Sequence, residues 1–177
     1  MYKLKLLFFF LVSNSITSVC AHRLSFYGEV ARQTCIVSVS GGGDYPIVYL
    51  PAVAESQIGR SGAIARETAF TITLGACSSP EAGGQSVETL LMAHHITEAG
   101  NLASTGSAVN IAVQITTQEE KMPLNFSPGK PVMTQKLALD AENPFAIQRF
   151  TARYVSEAGV KVQGSVISAM HYHISYL

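Results

Sequence analysis

Charge is scarce in this chain. Of its 177 residues only 14% are Asp, Glu, Lys or Arg, and the two signs cancel to a formal net charge of zero. A neutral chain offers no electrostatic footprint for nucleic acid or for an anionic membrane. So low a charged share is unusual for a free cytosolic protein and suits one that spends its life packed against copies or relatives of itself. Cysteine is scarce too, with three residues and no Cys-x-x-Cys spacing, which removes a thioredoxin-like redox site. No window longer than a turn or two keeps a helical period, although residues 52–58 could form a short helix. There is no internal repeat and no linker-like stretch. Apart from residues 6–12, no apolar run stands out, and that run is too short to cross a bilayer.

Residues 6–12 follow Lys3 and Lys5 and precede the small residues Val19, Cys20 and Ala21, the pattern of a secretory signal. Cleavage is expected after Ala21, giving a signal at 1–21 and a mature chain at 22–177. The sequence around Cys20 is a poor lipoprotein signal, so no lipid anchor is expected. The mature chain is the size of one domain. It keeps two cysteines, Cys35 and Cys77. Export to an oxidising compartment makes a disulfide between them the default reading, with two free thiols as the alternative. A bridge over 42 positions would be worth about 4 kcal/mol in the chain-entropy account.

What the chain does have is β pattern almost throughout. Cys35, Val37 and Val39 share a face, and 41–44 (Gly-Gly-Gly-Asp) breaks that strand. Residues 47–50 read as a short strand stopped by Pro51. Phe70, Ile72 and Leu74 alternate with threonines into Cys77; Val109, Ile111, Val113 and Ile115 alternate with smaller or polar residues; so do Phe150, Ala152 and Tyr154. The final stretch, 164–177, alternates most plainly. Val166, Ser168, Met170, Tyr172, Ile174 and Tyr176 fall on one face; Ser165, Ile167, Ala169, His171, His173 and Ser175 fall on the other. A strand there has no following hairpin partner within the chain, so one flank must be paired from far away in sequence or from another molecule. Short strands punctuated by Gly and Pro in a chain of this length indicate an all-β sandwich.

The head of the mature chain alternates as well, with Leu24, Phe26, Gly28 and Val30 on one side. A glycine on the apolar side of a strand marks close approach of another backbone. Four of the five histidines invite a metal reading. His171 and His173 would point to one face, whereas the adjacent His94 and His95 would point apart on a strand. No Asp or Glu sits beside them, so exposed strand and loop histidines are the expectation, with no metal, no cofactor and no enzymatic chemistry.

Order and spacing of these pieces resemble the pilus subunits assembled by the chaperone–usher pathway, of the type 1 and P pilus kind. The resemblance spans 22–177. It rests on Leu24-x-Phe26-x-Gly28-x-Val30 ahead of Cys35, Val48-x-Leu50-Pro51, and Phe70-x-Ile72-x-Leu74-x-x-Cys77. It continues with Gly106-x-Ala108-Val109-Asn110-Ile111 and Phe150-x-Ala152-Arg153-Tyr154, then closes with Gly164 and Tyr176. Ser168 departs from it by being small and polar, and residues 118–143 show no clear match.

The resemblance implies an incomplete immunoglobulin-like β-sandwich at 34–177 lacking its last strand, preceded by a donor-strand extension at 22–33. Leu24, Phe26, Gly28 and Val30 would be donated to a neighbour. Gly164, Val166, Met170, Tyr172, Ile174, Tyr176 and Leu177 would form the strand read by a chaperone or lining the receiving groove, with the Leu177 carboxylate held by basic residues of the chaperone. The implied partners are a periplasmic pilus chaperone, an outer-membrane usher and other pilus subunits, with a host-surface receptor reached through the assembled fibre. The implied role is structural: a subunit exported through the periplasm into a surface fimbria for cell adhesion. A sugar-binding tip adhesin and a periplasmic metal-binding sandwich are the alternatives.

Overall fold

The computed structural model describes residues 35–40, 42, 45–76, 85–119, 121–139, 144–158 and 162–177. Two antiparallel sheets face each other. The first is ordered β1-β2-β8-β5-β4, made of β1 (Ile36–Val39), β2 (Ile64–Gly75), β8 (Ala146–Ser156), β5 (Ile111–Thr117) and β4 (Leu102–Ala103). In the second, β3 (Gln85–Met92) pairs with β6 (Val132–Met133), β7 (Leu137–Leu139) and β9 (His171–Tyr176). A single helical turn, α1 (Glu55–Ile58), falls within the segment expected to be helical. The architecture is an immunoglobulin-like β-sandwich.

Alternation explains the strands. Phe70, Ile72 and Leu74 of β2 and Phe150 and Ala152 of β8 point into the space between the sheets and are buried. Phe70 and Phe150 sit opposite each other in the ladder, and their rings stack with centroids 5.3 Å apart. Val87 and Leu91 of β3, Ile174 of β9 and Leu139 of β7 close the core from the other sheet. A smaller cluster of Ile58, Ala108, Ile111 and Tyr154 adjoins it.

Three expectations change. Residues 47–50, expected to form a short strand, alternate in burial, yet among the described residues they join no ladder. Apolar alternation reports which face is covered and says nothing of who pairs the main chain. Val109 is exposed and Asn110 has φ of 58°, so the strand expected from Val109 begins at Ile111, after that left-handed residue breaks the ladder. The final stretch is a ladder strand only over β9. Residues 162–168 instead run along 104–109, joined by Thr105 N–H to Ile167 O (2.8 Å), Ala108 N–H to Ser165 O (3.0 Å) and a bridge between Val109 and Val162.

That contact is close enough to dictate two residues. A Cβ on Gly164 would collide with Ser107 and the Ala108 amide, and a Cβ on Gly106 would collide with the Ser165 carbonyl. The obstructing atoms are mainly backbone and cannot swing aside. Gly106→Ala and Gly164→Ala are each expected to destabilise the fold by about 1–3 kcal/mol through overpacking. Urea unfolding of each variant beside the unmodified chain measures this, and an unchanged midpoint would show that the two segments do not touch.

Candidate strand-accepting groove

The alternation in 164–177 puts one row of side chains against the core. Val166, Met170, Tyr172 and Tyr176 are half-buried against the main cluster, and Ile174 is fully part of it. Ile167, Ala169, His171 and His173 lie outward and exposed. On one flank β9 is laddered to β3, from Val87 opposite Tyr176 to Met92 opposite His171. Among the described residues β3 is its sole strand partner.

A second wall comes from residues 45–53. Val48 and Leu50 are half-buried against the same core, and Val53 packs with Leu50 on the smaller cluster. Tyr45, Ile47 and Tyr49 point away and are exposed. Leu50 is tied to the first sheet by the Tyr154 hydroxyl, which donates to the Leu50 carbonyl at 3.5 Å. Burial pushes the Tyr154 phenol pKa up from its ordinary value. Two rows of half-covered apolar side chains thus flank one core, and the 45–53 wall has a main chain without a described ladder.

Both ends of this groove are defined by particular contacts. At one, the Tyr176 hydroxyl accepts a hydrogen bond from the Cys35 amide at 2.8 Å, joining the end of β9 to the head of β1. Cys35 is disulfide-bonded. Leu177 follows, half exposed, with its amide donating to Ser86 O at 2.8 Å. At the other end lies a cavity of about 330 Å³, lined by Val53 and Ile58 from one side, Ala108 and Ile111 beneath, and Gly164 and Val166 from the other side. Ser168, the polar departure in the apolar row, uses its hydroxyl locally: it donates to the carbonyls of Ala103 (3.0 Å) and Leu102 (3.4 Å).

Of the residues singled out in sequence, the structure brings Val166, Met170, Tyr172, Ile174 and Tyr176 onto one face. Gly164 belongs to the contact with 106–108 and to the cavity lining. Leu24, Phe26, Gly28, Val30 and Cys77, together with 1–21 and 22–33, lie outside the described residues. Sequence reasoning missed the second tie of the terminal segment, to 104–109, and missed the role of Tyr154. Among the described residues no group of three or more His, Cys, Asp or Glu could hold a metal ion. His171 and His173 do share the outward face, and His171 also meets His94 edge-to-face, with ring centroids 5.1 Å apart.

Comparison with known proteins finds the same fold. The P pilus rod subunit PapA superposes with a TM-score of 0.63 at 12% identity, over 81% of this chain and 99% of that one. A chaperone–usher pilus subunit from a study of rod uncoiling superposes at 0.60, with 13% identity over 89% and 96% of the two chains. The CupB6 tip adhesin of Pseudomonas aeruginosa gives 0.57 at 17% identity, but this chain spans only 35% of it. By sequence, the chain is 25% identical over 156 residues to the major fimbrial subunit SMF-1 of Stenotrophomonas maltophilia strain K279a, covering 86% of this chain and 90% of that protein. The family described as fimbrial protein matches residues 24–176. The chain therefore belongs to the fimbrial protein family and is a structural subunit of a pilus.

Proposed function

We propose that this subunit polymerises by strand donation: the segment 22–33 of one copy or relative lies in the groove between β9 and residues 45–53 of the next. One observation carries the reading. Both walls are half-covered apolar rows on a shared core, and the 45–53 wall has no described ladder partner. A strand laid between them satisfies main-chain groups and covers the apolar rows together, with alternate side chains setting the register. Leu24, Phe26 and Val30 have the spacing to point inward, and Gly28 takes a shallow place between them.

Until that strand arrives, an open apolar seam invites aggregation. The subunit therefore needs a periplasmic chaperone that covers the seam and an outer-membrane usher where the cover is exchanged. Tyr176 and Leu177 present the end of β9 to the chaperone. The disulfide of Cys35 closes on Cys77 and fixes the head of β1 beside the groove. No chemistry is assigned to the subunit.

Replacing Gly28 by leucine should leave folding and chaperone binding intact and slow or stop polymerisation, because overpacking costs roughly 1–3 kcal/mol in the joint between copies. SDS-resistant ladders on unboiled gels read this. Extension at the normal rate would remove Gly28 from the groove, and failure to fold would place the segment in its own sandwich.

Deleting Tyr176 and Leu177 should leave the subunit degraded or aggregated in the periplasm. Tyr176→Phe removes the hydroxyl that accepts from the Cys35 amide, which costs about 0.5–1.5 kcal/mol, and should keep chaperone capture. Normal accumulation of the truncated chain with its chaperone would count against the proposed anchor.

Mass spectrometry without reductant should find the mature chain two hydrogen atoms lighter than the dithiol. Two alkylatable thiols in the native protein would contradict the Cys35–Cys77 pairing.

A further inference from the structure

The outward face of the β3–β9 ladder carries exposed histidines. Met92 stands opposite His171 and Leu90 opposite His173. His94 follows Met92 by two residues, and its ring is brought against that of His171, with centroids 5.1 Å apart and planes at 74°. Both rings are exposed, and among the described residues neither takes part in a hydrogen bond or ion pair. An edge-to-face contact in water contributes little to stability, so packing does not account for the pair.

We propose that His94 and His171 form a two-point site for a divalent transition-metal ion of the zinc–copper class. Imidazole is a good ligand for these ions. A ring nitrogen sits about 2.0–2.1 Å from bound zinc, which sets two ring centres sharing one ion at a near-tetrahedral angle about 5 Å apart. The observed separation is 5.1 Å. Exposed side chains change rotamer in picoseconds to nanoseconds, so turning both nitrogens onto the ion meets little resistance. Water fills the remaining positions. Met92, opposite His171 on the same face, offers a soft sulfur that would favour copper. A bound ion would clamp β9 to β3 on the face opposite the core. The site itself does not depend on the groove reading. Only the consequence does: the clamped strand is the one that walls the groove.

Isothermal titration of the mature chain with Zn²⁺ alone tests this. His22 is replaced by alanine in every sample, because a histidine beside a free amino terminus would hold the ion by itself. One ion per chain is expected. His94→Ala and His171→Ala should each weaken binding by at least about tenfold, as loss of a ligand costs no less than loss of a supporting residue. His95→Ala and His173→Ala should leave it nearly unchanged. Zn²⁺ should also slow amide exchange in β9 of the unmodified pair and not of the His94→Ala chain. The proposal is overturned if no saturable binding occurs, or if both key variants bind as before. It is equally overturned if only His95→Ala or His173→Ala abolishes binding, which would put the ion elsewhere. A chain that binds Zn²⁺ through this pair yet does not polymerise would overturn the groove reading alone.

Discussion

Everything in this sandwich depends on how a terminal strand is held when one described strand pairs it. A β-strand needs partners for its main chain and cover for its apolar face. β9 takes both from the β3 side: six register pairs, and a core in which Ile174 is buried. What remains is a seam between Tyr172, Met170 and Val166 on one wall and Val48 and Leu50 on the other. The walls cannot hold each other across the seam, so each is fastened elsewhere. Tyr176 ties the β9 wall to disulfide-bonded Cys35 at the head of β1. The Tyr154 hydroxyl reaches the 45–53 wall from the first sheet.

The fastening of 162–168 is unlike a regular ladder, and its residue types follow from that. Ser104, Ser107 and Ser165 hydroxyls accept from the amides of Ile167, Ser165 and Ser107, respectively, and Ser168 donates to two carbonyls. Small hydroxyl side chains supply bonds where two backbones are too close, or wrongly angled, for full pairing. Gly106 and Gly164 permit that approach. A larger apolar residue at 168 would cover more core and lose both hydroxyl bonds. The departure at Ser168 is therefore a fastening for the wall, made at the expense of apolar cover.

The sequence was most readable where burial differs between two faces. Cys35, Val37 and Val39, the residues around Phe70 and Phe150, and the row from Val166 to Tyr176 all show it. β3 was not readable, although it is the described partner of β9. Leu90, Leu91 and Met92 are consecutive, and Glu88 is buried beside Val87 and Thr89, so the period of two is lost. β4, β6 and β7 span two or three residues, too few to show any period. In the site, the inward row was legible because alternation fixes it locally. The close approach of Gly106 to Ser165 and of Gly164 to Ser107, and the meeting of His94 with His171, were not. Those depend on the register between segments far apart in sequence, which no local pattern encodes.

The same separation between pattern and pairing bears on what a strand laid in the groove can gain. Ordering one residue costs roughly 1–2 kcal/mol of backbone entropy. A main-chain hydrogen bond returns about 0.5–1.5 kcal/mol net. Along an incoming segment these nearly cancel, so the backbone supplies direction and register but little net affinity. Each large apolar side chain taken from water adds about 1.5–3 kcal/mol. The walls gain as well, because Val48, Leu50, Val166 and Tyr172 are only half covered beforehand. Choice between competing strands then falls on the inward side chains and on how their sizes match the walls, including the cavity at the Val53–Val166 end. Under the proposed donation of 22–33, that choice would fall to Leu24, Phe26 and Val30. A chaperone strand with equal main-chain pairing but poorer filling of that cavity would hold the subunit soluble and still give way to the next subunit.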